Sequence, residues 1–156
     1  MASPHPDPDR FEEDDALGTD EGEEYIDVFI EESRVDGRDD TWLDEARYCL
    51  SCLLAFKQQQ VDTTLSLWDG RTIRAFLLDH YPRKLRTEPG PWQLVPEILV
   101  EFFRWMRHHG IISANTRRNV TRQVQRSRRM FMERAADPGY YSPEKRVFTQ
   151  LLHQLL

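Results

Sequence analysis

Cysteine, glycine and lysine are scarce in this 156-residue chain, at two, seven and three residues, and long apolar runs are missing. Two cysteines cannot build a disulfide scaffold, and no stretch approaches the ~18 apolar residues that a membrane span requires. The N-terminal MASPHPDPDR has no apolar run behind a basic start. The expectation is therefore no secretory leader, no membrane partner and a reducing cytoplasm. Sustained apolar/polar alternation is absent, as is any Asn-Gly or Asp-Gly turn between strand-like runs, so a sheet is not expected. No G-x-S-x-G, H-E-x-x-H, Walker or G-x-G-x-x-G pattern occurs, which leaves no candidate for a catalytic residue or for a cofactor. Hydrophobic residues make up 39%, below the ~45–50% of ordinary globular chains. A core is feasible only if part of the chain stays out of it.

The charge shows which part. The net charge of -6 hides a split: residues 1–40 hold 16 acidic and 3 basic residues, and residues 41–156 hold 11 acidic and 18 basic, or -13 against +7. In the first 24 residues the apolar side chains are few, among Pro4, Pro6, Pro8, Gly18 and Gly22. Such a segment buries too little surface to offset its ordering entropy, which predicts disorder. Tyr25, Ile26, Val28, Phe29 and Ile30 form a denser patch that can dock on the body as a short strand or helix, or serve as a partner-binding motif. The expected organisation is an acidic, largely disordered tail over 1–38 with that patch at 25–30, followed by a helical domain over 39–156.

The body reads as about five helices. Asp40 or Thr41 caps a first helix carrying Trp42, Leu43, Ala46, Cys49, Leu50, Leu53 and Leu54 on one face, ending near Gln58 to Gln60. Asp69 caps a second, with Ile73, Phe76, Leu77 and His80 on one face, and Pro82 is expected to close it. Thr87 to Trp92, with Pro89, Gly90 and Pro91, predicts a surface connection. Pro96 suits the first turn of a third helix that is apolar around most of its circumference and so central. Gly110 and Ile111 suit its Schellman stop. Ser113 caps a fourth helix reaching about Ala136. Ser142, Pro143 and Glu144 open a fifth, with Val147, Phe148, Leu151, Leu152 and Leu155 along one side. A part of that side left unburied would favour self-association.

Few constellations carry chemistry. Cys49 and Cys52 have C-x-x-C spacing, but no second knuckle supplies the other ligands of a zinc site. They read as small buried hydrophobes, and no metal is expected. His108 and His109 point about 100° apart on a helix and cannot share an ion. His80 reads as a core or boundary histidine, and its neighbours Asp79 and Tyr81 are not a dyad by adjacency alone. The fourth helix is more specific. Val124, Ser127, Phe131 and Ala135 fall within about 60° of Val120, whereas Arg118, Arg122, Arg126 and Arg129 fall near the opposite side. From Arg104 to Arg134 nine arginines face one acid, Glu133, and guanidinium groups match phosphate and carboxylate forks. Two blander accounts compete: a solvated face in an arginine-rich chain, and a stripe neutralised by the chain's own acidic tail.

The run Phe76-Leu77-Leu78-Asp79-His80-Tyr81-Pro82-Arg83-Lys84, with Val95-Pro96-Glu97-Ile98-Leu99, Phe102-Phe103-Arg104-Trp105, Met132, Asp137-Pro138 and Tyr141-Ser142-Pro143-Glu144-Lys145, resembles a helical domain of unknown function in bacterial proteins. That domain is often found beside a SEC-C zinc motif. The resemblance spans roughly residues 62–152 and implies a compact helical module without known catalytic residues. The cysteine cluster of a SEC-C motif is lacking, so no zinc role carries over. Gly110-Ile111-Ile112-Ser113-Ala114-Asn115-Thr116-Arg117-Arg118 is also similar to a helix joint in the DNA-holding domain of tyrosine recombinases, whose catalytic domain has no counterpart here. The expected function is a non-enzymatic interaction or accessory module, with another protein as partner. The alternative is a nucleic-acid-binding accessory protein using Arg118, Arg122, Arg126 and Arg129, with the tail as a competing autoinhibitory segment.

Overall fold

The computed structural model describes residues 8–59, 64–87 and 90–155, with side-chain surroundings from Glu21 on. Helix α1 covers Pro8–Val35, α2 covers Asp40–Gln58 and α3 covers Gly70–Ala75, which runs through a π-helical turn (Phe76–His80) into α4 (Tyr81–Lys84). A 3-10 turn (Trp92–Leu94) leads into α5 (Val95–His108), α6 covers Ala114–Ala135, and a second 3-10 turn (Pro138–Tyr140) precedes α7 (Pro143–Leu155). The protein is all-α, with no strand among the described residues. With α3 to α4 taken as one bent rod there are six helices, one more than the body alone promised, because the acidic N-terminal segment supplies α1.

The patch at 25–30 docks as part of that long helix. Ile26, Phe29, Ile30 and Ser33 recur at helical spacing and all four are buried. Phe29 meets Trp42 of α2 and Phe102 and Trp105 of α5, with ring centroids 5.2–6.1 Å apart. Edge and tilted contacts of this kind add roughly 0.5–1.5 kcal/mol each beyond area burial. The packed unit thus begins well before residue 39. Composition predicts disorder over the first 24 residues, but residues 8–24 are helical; residues 1–7 and the side chains of 8–20 lie outside the described residues. The backbone from Pro8 on belongs to α1.

Helix α5 is central, burying Val95, Ile98, Leu99, Phe102, Phe103 and Met106, with α2 and α6 packed against it. Its end is a Schellman motif: Gly110 adopts φ +73°, Gly110 N–H donates to the Arg107 carbonyl and Ile111 N–H to that of Met106. Two local expectations shift. The N-cap of α2 is Asp39, whose carboxylate accepts from Trp42 N–H at 2.9 Å. The connection from Thr87 to Trp92 has buried ends, since Trp92 packs edge-on against Phe131 and the Thr87 hydroxyl lies 3.2 Å from that of Tyr141. Residues 88 and 89 lie outside the described set.

Pro82 does not close its helix, because distant cations replace what it removes. Lacking an N–H, it cannot serve the carbonyl of Leu78 four residues back. The π turn re-pairs the backbone by sending Tyr81 N–H to the Phe76 carbonyl. Arg134 of α6 donates to the Leu78 carbonyl at 2.6 Å, and Lys145 of α7 donates to the carbonyl of Pro82 itself at 2.6 Å.

Candidate anion-binding face

Helix α6 is specified locally at both ends. The Ser113 hydroxyl accepts from Thr116 N–H at 3.1 Å, no glycine or proline follows for 22 residues, and Asp137-Pro138 ends it. Val120, Val124, Ser127, Phe131 and Ala135 are all buried. That fixes the opposite side outward, and Arg118, Arg122, Arg126 and Arg129 are all exposed there. Of the four, only Arg129 has a counter-charge among the described residues, Glu133 at 3.4 Å. Spacings of three and four residues place these arginines beside one another. Each uncompensated like-charge pair costs a helix about 0.2–0.5 kcal/mol.

The structure sorts the nine arginines from Arg104 to Arg134. Arg134 is committed to the Leu78 carbonyl and stacks 4.8 Å over the Tyr140 ring. Arg104 lines a different cleft, beside α1. Arg117 is half-buried, and its Nε has no hydrogen-bond partner. The four stripe residues therefore stay together while others counted with them do not.

The packing of α3 against α6 was illegible in the sequence. Helix α3 runs alongside α6: a Cβ on Gly70 would stand 3.3 Å from the Gln123 amide oxygen, and Leu78 further along meets Arg134. Arg74, four residues after Gly70, lies on the same side of α3. It is exposed and makes no ion pair among the described residues.

Two acids of the docked part of α1 are engaged away from α6. Asp27 pairs with Arg47 of α2 at 2.7 Å, and Glu32 accepts from the Trp105 indole and lies 3.4 Å from His109 Nε2. Competition by the acidic residues before Glu21 concerns side chains outside the described set.

The other candidates do not converge into a reaction site. Asp79 pairs with Arg83, His80 stacks on Phe56 at 4.7 Å between centroids, and the Tyr81 hydroxyl donates to Glu45 at 3.0 Å. Burial, then Lys84, hold the His80 pKa below its usual value. Glu45 is buried, and desolvation raises its pKa against the opposing Tyr81 hydrogen bond. Cys49 is fully buried, and that burial pushes its thiol pKa well up. Cys52 is a half-buried thiol packed against the core. Among the described residues no three His, Cys, Asp or Glu side chains are grouped to hold a metal. No helix among them is long and apolar enough to cross a membrane. A cleft of about 750 Å³ between α1 and α5 is lined by Glu32, Arg38, Glu101, Trp105 and His108. Its charges largely satisfy one another, with Arg38 bridging Glu97 and Glu101.

No family model matches the chain, and no curated protein and no solved structure matches it significantly.

Proposed function

We propose that this chain is a non-enzymatic, cytoplasmic interaction module that binds an anionic partner through Arg118, Arg122, Arg126 and Arg129. One observation carries the reading: like charges stand at adjacent positions on an exposed helix face with a single acid to offset them. Local rules favour acid–base pairs at this spacing. Departures from local consistency concentrate where a ligand supplies the missing element. The resemblance to a helical module without known catalytic residues agrees with this reading and adds no site residue to it.

The test uses a sulfonate cation-exchange matrix at pH 7 and low ionic strength. A chain of net charge -6 is repelled on average, so retention reports a localised basic face. Wild type is expected to be retained, and the variant carrying Arg118→Ala, Arg122→Ala, Arg126→Ala and Arg129→Ala to run through. Alanine at exposed helix positions preserves the helix. Wild type running through as well would overturn the proposal.

A further inference from the structure

We infer that the anion held by the arginine face is the phosphate backbone of a double-stranded nucleic acid, bound without regard to sequence. This rests on the anion-binding reading and names its ligand.

The face lacks what a protein partner would use. Protein interfaces use arginine too, but set it among buried aromatic anchors that fill pockets on the partner. Between Arg118 and Arg129 the outward side of α6 presents arginines, Asn119 and Gln125, and Met130 is the one large exposed hydrophobic on that helix. Among the described residues the other large exposed hydrophobics are Val28, Val35 and Leu67 elsewhere on the molecule and a row on α7. A phosphate backbone needs no apolar anchor, because guanidinium forks and counterion release supply the affinity. The same side chains narrow the choice between duplex and single strand. Single-strand binders stack bases on exposed aromatics, and no aromatic stands on the outward side of this stripe. Asp27 and Glu32 of α1 are held by Arg47 of α2 and by the end of α5, and the arginines of α6 form a basic pole that orients the molecule toward a polyanion.

The test is fluorescence anisotropy on the full chain with a labelled 24-base-pair DNA duplex, a second duplex of unrelated sequence, the single strand and polyglutamate, across a salt series. Both duplexes are expected to bind equally and more tightly than the single strand. The plot of log affinity against log salt is expected to have a slope near -3.6, the ~0.9 per phosphate of four contacts. Arg122→Ala with Arg126→Ala should weaken duplex binding at least tenfold and flatten that slope. Arg34→Ala with Arg83→Ala, which removes the same charge from paired positions, should change it less than twofold. Thermal melts of both variants establish that they remain folded. No duplex binding at low salt, tighter binding to the single strand, or equal losses in the two double variants would overturn the inference. Polyglutamate bound in place of duplex would overturn it and leave the anion-binding reading standing. Retention on the sulfonate matrix decides that reading independently.

Discussion

Helices α6 and α7 carry equally clear apolar stripes and use them in opposite ways. In α6 the stripe is buried and the charges face out. In α7, Val147, Phe148, Leu151 and Leu155 are 50–83% exposed, and the side chain buried against the body is Lys145. The difference lies in the first turn. Ser142 N–H is tied to the Arg83 carbonyl at 2.9 Å, and the Arg146 guanidinium to the Pro138 and Gly139 carbonyls. The Lys145 ammonium reaches the Pro82 carbonyl and lies 3.7 Å over the Tyr141 ring. Those anchors turn residues 145, 149 and 152 inward before the apolar stripe begins. A periodic pattern defines a stripe, and the polar contacts at the helix start decide where it points.

The sharpest way to break the comparison is to remove one phenylalanine from each helix. Phe131 is fully buried and packs edge-on against Tyr81 and Trp92. Phe131→Ala is expected to cost about 3–5 kcal/mol. Phe148 is half exposed, and Phe148→Ala should cost about 1 kcal/mol. Urea melts of the two variants measure both. Equal losses would mean that the α7 stripe is covered in solution and that the contrast fails.

A smaller effect separates the arginine that serves the proline break from one on the exposed stripe. Arg134→Ala leaves the Leu78 carbonyl without its donor, and a buried acceptor so stranded costs about 1–3 kcal/mol. Arg126→Ala, one helical face away and unpaired among the described residues, should stay within about 0.5 kcal/mol. If the two lose equal stability, Arg134 is not what lets the helix continue past Pro82.

These contrasts also mark how far the sequence could be read. The all-α class, the caps at Asp69, Ser113 and Ser142, the glycine stop at Gly110 and the outward arginines of α6 were legible, because each depends on neighbours within one or two helical turns. The passage of the helix through Pro82 was not, since its compensation comes from Arg134 and Lys145, more than 50 residues away. The packing of α3 against α6 and the outward turn of the α7 stripe were hidden for the same reason. The length of α1 was hidden by composition: acid-rich flanks predict disorder, while the docking of Ile26, Phe29 and Ile30 depends on an aromatic cluster assembled from α2 and α5.

The finest distinction is electrostatic and concerns Lys145 alone. Burial lowers its pKa from 10.5 to about 8, and no carboxylate pairs with it among the described residues. A base with a depressed folded-state pKa binds fewer protons folded than unfolded between those two values. Its contribution to stability is therefore unfavourable below pH 8 and improves as pH rises from about 8 to about 10.5. Tyrosines and cysteines with raised pKa values change in the opposite sense over the same range, so the useful quantity is the difference between wild type and Lys145→Met. Methionine keeps the length and apolar stem but loses the bond to the Pro82 carbonyl at every pH. The variant's stability relative to wild type should be best near pH 7 and fall as pH rises to 10.5. Chemical denaturation at the two pH values measures it. A difference that does not change with pH would mean that Lys145 is as well solvated as the α6 arginines, and that the inward face of α7 is not a buried one.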